Sequence, residues 1–84
     1  MKIKQNLPIH VGAKVTFNND DIEIFKAETN LDNPEIQQYR KLVLAGIDQV
    51  GTVKEPGISM TTVSYPDGWE LPIPTKYLVV LPEV

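Results

Sequence analysis

Eighty-four residues, 42% of them apolar, make one domain around one core, because a chain this short has no apolar surface to divide between two. The absence of Cys excludes a disulfide framework, a thiolate zinc site and thiol catalysis and predicts a reducing, cytoplasmic setting, and no run approaches the ~20 apolar residues of a membrane span. The net charge of −3 argues against a general polyanion binder, since nucleic-acid domains concentrate Lys and Arg.

The start, Met1-Lys2-Ile3-Lys4, leads into Asn6, Pro8 and His10, not into an apolar signal-peptide core, so residues 1–10 are expected to form an N-terminal arm. From Val11 to Phe17 apolar and polar residues alternate, the period of a strand with one buried face. Asn18-Asn19-Asp20-Asp21 reads as a turn, and the alternation of Ile22 and Ile24 with acidic neighbours predicts a returning hairpin strand through about Lys26. Asn33-Pro34-Glu35 has the chemistry of a helix start: a capping amide, a proline at the first position and a carboxylate near the positive end of the dipole. A short helix to about Val43 follows, with Ile36, Tyr39 and Val43 on one face and Ala45-Gly46 ending it.

Val50 and Val53 flank Gly51 out of phase, which predicts a strand over 49–54 with a bulge or bend at the glycine. Glu55-Pro56-Gly57 is a turn, and Ile58 to Tyr65, rich in β-branched residues, is a strand closed by Pro66-Asp67-Gly68. Trp69 to Ile73 is a short strand that must be an edge or end in a bend, because Pro72 and Pro74 each lack an amide donor. A 3₁₀ turn at Thr75-Lys76-Tyr77 and a final strand over 78–81 complete the chain. The expected core is Val15, Phe17, Val50, Val53, Met60, Val63, Leu78 and Val80. Five or six short strands joined by tight turns fit a small barrel, with residues 18–46 as an acidic insertion.

Four stretches carry a family resemblance: Val11-Gly12-Ala13-Lys14-Val15, Gln49-Val50-Gly51-Thr52-Val53, Val63-Ser64-Tyr65-Pro66-Asp67-Gly68, and Ile73-Pro74-Thr75-Lys76-Tyr77-Leu78. In this order the chain resembles the SH3-like barrel superfamily, including its KOW-type and Tudor-like modules, over residues 11–17 and 49–82. The resemblance implies a mainly β, single-domain SH3-like barrel. It does not imply one function, because the superfamily hosts peptide adaptors, RNA binders and small subunits of larger assemblies. The aromatic-rich start of peptide-binding SH3 domains is missing here, and the loop that is usually basic in KOW modules is the acidic one.

That acidity has a location. Between Asn18 and Glu35 stand Asp20, Asp21, Glu23, Glu28, Asp32 and Glu35 against Lys26 alone, so the segment carries −5 and the rest of the chain +2. Such a patch steers a basic partner and fixes its register without catalytic geometry. Tyr65, Trp69 and Tyr77 gather around the last two turns, and exposed aromatics anchor interface hot spots. Catalytic candidates are thin: His10 is the sole histidine and Ser59 and Ser64 the only serines, which gives no matched acid and base. The spacing of Asp20, Asp21 and Glu23 is not that of a calcium loop, and no glycine-rich phosphate loop is present. The sequence therefore predicts a non-enzymatic binding protein with no cofactor or metal, a regulator or accessory subunit that docks a basic protein surface through Asp20, Asp21, Glu23, Glu28, Asp32, Glu35, Tyr65, Trp69 and Tyr77. The alternatives are a KOW-type nucleic-acid module and an oligomer that binds a small molecule at its interface.

Overall fold

Successive side chains of a strand point to opposite faces, and which of the two sets is buried fixes the side of the sheet that becomes the core. In the computed structural model, which describes residues 9–82, the strands are β1 (Lys14–Phe17), β2 (Gly51–Glu55), β3 (Met60–Ser64), β4 (Glu70–Pro74) and β5 (Leu78–Val80). They form one antiparallel sheet in the order β4-β3-β2-β1-β5. Residues 1–8 of the expected N-terminal arm lie outside the described residues.

Val15 and Phe17 of β1, Val53 of β2, Thr61 and Val63 of β3, Leu71 and Ile73 of β4 and Leu78 of β5 all point to the buried face. Val50 and Met60, expected in the core, are instead 46% and 44% exposed. The reason is parity: each lies three residues from a core valine, Val53 or Val63, and residues three apart on a strand face opposite sides. Val80 is half-buried against the core.

Gly51 is required by a close approach rather than by a bulge. A Cβ built there would meet Val63 Cγ1 at 2.2 Å, so β2 can lie this close to β3 only without a side chain at that position. The irregularity of the strand falls two residues later, where the pairing passes from Val53–Val63 to Glu55–Thr62 and leaves Lys54 unmatched. Nor does β3 begin at Ile58, which is fully exposed. The preceding turn is committed elsewhere: Thr75 N–H donates to Ser59 O at 3.0 Å and Thr75 Oγ1–H to Gly57 O at 2.8 Å.

Strand β4 occupies one edge of the sheet, as its prolines require. Tyr65 N–H donates to Trp69 O, so in an antiparallel ladder residues 69, 71 and 73 turn their backbone groups toward β3, and Pro72 and Pro74 fall where the missing amide would face outward. The edge therefore offers almost no donors to another chain. A 3₁₀ turn at Thr75–Tyr77 leads into β5, which returns to pair with β1.

The insertion between β1 and β2 departs from the expected hairpin strand over 22–26. After a 3₁₀ turn at Asn19–Asp21 it forms helix α1 (Ile22–Glu28), then α2 (Pro34–Ala45). The alternation of Ile22 and Ile24 misleads because Ile24 is half-exposed while Phe25 is 1% exposed: the period that counts is Ile22 to Phe25, three apart on one helical face. Asn18, the carboxylates of the first turn and Lys26 in the last supply the helix signals. Helix α2 begins as expected, Asn33 Oδ1 accepting from Glu35 N–H at 2.9 Å and Ile36 N–H at 3.3 Å, and stops at Gly46. It buries Val43 and packs Tyr39 and Leu42 against the core. Among the described residues no helix is long and apolar enough to cross a membrane.

Two substitutions test this packing. Val63 is wholly buried, and an unpaired carboxylate there costs several kcal/mol, as much as the roughly 3–5 kcal/mol a domain of this size holds. Val63→Asp is expected to abolish cooperative melting, and a soluble variant with a sharp transition would show the register to be wrong. Gly51→Ala keeps the strand polarity but overpacks the β2–β3 contact, so it should cost about 1–3 kcal/mol by denaturant titration.

Candidate functional site

Two features meet at the insertion: an outward acidic surface and a small apolar cleft under the far end of α2. The acidic side chains follow from the way the helices start. Asn18 Oδ1 accepts from Asp20 N–H at 3.0 Å, and Asp20, Asp21 and Glu23 fall in the opening turns, with Glu35 in the first turn of α2. Carboxylates near helix N-termini are favoured by the dipole, so part of this acidity belongs to helix chemistry. Asp20, Glu23, Asp32 and Glu35 are exposed and Asp21 is half-buried. Glu23 lies 3.7 Å from Lys26, an exposed pair of small energetic value.

Glu28 differs from the rest. Its carboxylate accepts a hydrogen bond from the Tyr77 hydroxyl and lies 3.3 Å from Lys76 Nζ. The Tyr77 hydrogen bond, followed by that from Lys76, holds the Glu28 carboxyl below the usual glutamate range. Tyr77 itself is only 3% exposed, and its phenol is pushed up, first by burial and then by the bond to Glu28. Lys76 Nζ stands 4.9 Å from the centre of the Tyr77 ring. Both Glu28 and Tyr77 thus serve as the clasp between α1 and the turn before β5. Sequence reading placed them among the docking residues, but burial and bonding turn Tyr77 inward and engage Glu28 within the fold.

Tyr65 is 8% exposed and also part of the core, with its phenol pushed up by burial. Of the three aromatics read from the sequence only Trp69, 54% exposed, is on the surface. Trp69 borders a cleft of about 80 Å³ whose walls include Leu42 and Gly46 at the end of α2, Tyr65, Leu71 and the carboxylate-bearing Asp67. Asp67 reads from sequence as a turn residue only. Its place in a cleft depends on α2 ending against the β3–β4 turn, a juxtaposition that spacing along the chain does not encode. Gly68, with φ of +92°, makes that turn and sets Asp67 and Trp69 on either side of it.

His10 is exposed and its Nδ1 lies 3.0 Å from the carbonyl of its neighbour Val11. Among the described residues no group of three His, Cys, Asp or Glu side chains could hold a metal ion. Arg40 and Lys41 form no ion pair among the described residues and face, with Gln37 and Gln38, a broad open hollow along α2. The insertion thus carries acids at the starts of its helices and two cations along α2.

The Glu28 clasp gives a pH dependence of defined sign. A carboxyl held below its ordinary value contributes stability that is present above about pH 4.5, the ordinary value, and lost as pH falls through the folded-state pKa. Glu28→Gln should therefore melt below the parent at neutral pH, with the gap closing in acid. A melting-temperature difference constant from pH 7 to pH 3 would mean that the carboxylate charge is not what holds α1.

No protein-family model, curated protein or solved structure matches this chain.

Proposed function

We propose that the chain is a small, non-catalytic binding module, a regulator or accessory subunit, that docks a basic protein surface through the exposed acids of its helical insertion. The observation that carries this reading is the division between Glu28 and the others. Glu28, though half-exposed, is tied down by Tyr77 and Lys76, whereas Glu23 has a side chain 87% exposed and Asp20, Asp32 and Glu35 are likewise exposed. A capped and core-anchored insertion holds these charges at fixed spacing, which is what selects and orients a partner of opposite sign. Asp20, Glu23, Asp32 and Glu35, with Asp21 beside them, make up this face, and Trp69 is the aromatic available to extend it.

The proposal includes an SH3-like barrel in the cytoplasm. Its support is the strand order β4-β3-β2-β1-β5, with a 3₁₀ turn feeding a last strand that returns to the first, and the absence of Cys. The partner itself is named only by its chemistry, a surface rich in Lys and Arg.

A charge-removal variant tests the docking face without touching the clasp. Asp20→Asn, Glu23→Gln and Asp32→Asn together should leave the melting temperature nearly unchanged, because exposed charges contribute little to stability. Association with a fluorescent Lys/Arg-rich peptide should slow several-fold at low salt, and the difference should shrink toward ~0.15 M salt as steering is screened. Lys2→Gln with Lys4→Gln serves as the control and should not slow it. Equal on-rates for parent and triple variant at low salt would reject the acidic face. Tight, steeply salt-dependent binding of an oligonucleotide would replace it with the nucleic-acid reading.

A further inference from the structure

We infer that the cleft between the end of α2 and the β3–β4 turn receives a single arginine side chain from the basic partner, with Asp67 and Trp69 as the groups that read it. The inference rests on the docking reading above and deepens it by naming the residue that would be captured.

Size decides the class of occupant first. Sites for cofactors and drug-sized ligands run to ~300–1,000 Å³, whereas this cleft offers about 80 Å³. Even one benzene ring occupies an engineered cavity of about 150 Å³. What fits is a part of a side chain, entering from solvent beside the exposed Trp69.

The walls then decide its chemistry. Leu42, Leu71 and the Tyr65 ring are apolar and suit a methylene stem. Three features of the lining are electronegative: the carboxylate that Asp67 bears, the π-system of the Trp69 indole, and the C-terminal end of α2 with Leu42, Ala45 and Gly46. That helix is 12 residues long and has no basic residue in its last turn to offset its dipole. A cation on an apolar stem satisfies both requirements at once, and an anion would meet repulsion. Between the two long cations the guanidinium is favoured, because its plane stacks on an indole while its N–H fork reaches a carboxylate.

Position supports the same occupant. From Glu35 in the first turn of α2 to the cleft at its end is ~15 Å at 1.5 Å per residue, well within the span of one protein–protein interface of standard size. That distance puts Glu35 and the cleft within reach of a single partner, with Arg40 and Lys41 lying along α2 between them.

Trp69 is the sole tryptophan of the chain, so its fluorescence reports the cleft directly. The probes are N-acetyl-arginine amide, the neutral isostere N-acetyl-citrulline amide, and N-acetyl-lysine amide, titrated at low salt into the full chain. Arginine amide is expected to change Trp69 emission saturably and to bind about fivefold tighter than citrulline amide, the scale of one partly exposed charge pair. Asp67→Asn, whose melting temperature verifies its fold, should bring arginine down to the citrulline level. No saturable change with arginine amide, or equal binding of citrulline or lysine amide, overturns the inference. The variant lacking the charges of Asp20, Glu23 and Asp32 should keep this titration intact, so a failure of the acidic docking face and a failure of the cleft are read separately.

Discussion

Four aromatic rings hold the insertion to the sheet, and the rest of the surface is arranged around them. Phe17 of β1 meets Phe25 of α1 edge-on at 5.4 Å and stacks with Tyr77 at the same distance. Phe25 also meets Tyr77 edge-on at 6.0 Å and lies 6.3 Å from Tyr39 of α2. Each such pair adds roughly 0.5–1.5 kcal/mol beyond its burial, a large share of what a domain this small has to spare. α1 has seven residues, and isolated helices shorter than ~12–15 residues are marginal in water. Without Phe25 in this cluster α1 has no independent reason to persist, and the acids it carries would have no fixed spacing.

The polar bonds at the margin of the cluster set the angle at which the insertion lies. Tyr77 donates to Glu28 at the end of α1, and Tyr39 donates to the carbonyl of Pro72 on the edge strand. The second bond uses an outward carbonyl of β4, so α2 covers part of the edge that Pro72 and Pro74 already deprive of donors. Burial pushes the Tyr39 phenol up to about 12, which keeps it a donor at every pH the fold encounters. Tyr39 and Tyr77 are thus apolar in body and polar at the tip, the form of residue that can close a core and still orient what lies over it.

Much of this was legible in the sequence where one physical cause dominates. Pro72 and Pro74 allow only an edge or a bend, and β4 is an edge; Asn33-Pro34 begins a helix, and the 3₁₀ turn at Thr75–Tyr77 falls where expected. Residues 22–26 are ambiguous, because Ile-Glu-Ile satisfies a period of two while Ile22 and Phe25 satisfy a helical spacing. Five residues do not distinguish the two; the aromatic partners of Phe25, distant in sequence, do. Val50 and Met60 were misplaced for a different reason, since two valines or a methionine and a valine three apart cannot share a strand face. The acidic residues were visible as a charge run, but which of them is structural was not. Glu28 separates from its neighbours through Lys76 and Tyr77, 48 and 49 positions away.

The same distinction explains why a domain with so little stability to spare can carry a one-signed surface. Carboxylates gathered on a small insertion repel one another and weaken the element that bears them. Here three offsets act locally. Asp20, Asp21, Glu23 and Glu35 lie where helix dipoles favour negative charge, Glu28 is neutralised by Lys76, and Glu23 has Lys26 within 3.7 Å. Asp32 is left in the exposed loop between the helices, where solvent screens it. The C-terminal end of α2 has no such offset: no basic residue stands in its last turn, and Asp67 adds a further negative charge beside it. At the helix starts these offsets ease the repulsion among the acids while leaving Asp20, Glu23 and Glu35 exposed to solvent. At the end of α2, among the described residues, the helix dipole and the Asp67 charge have no basic side chain of the last turn to offset them.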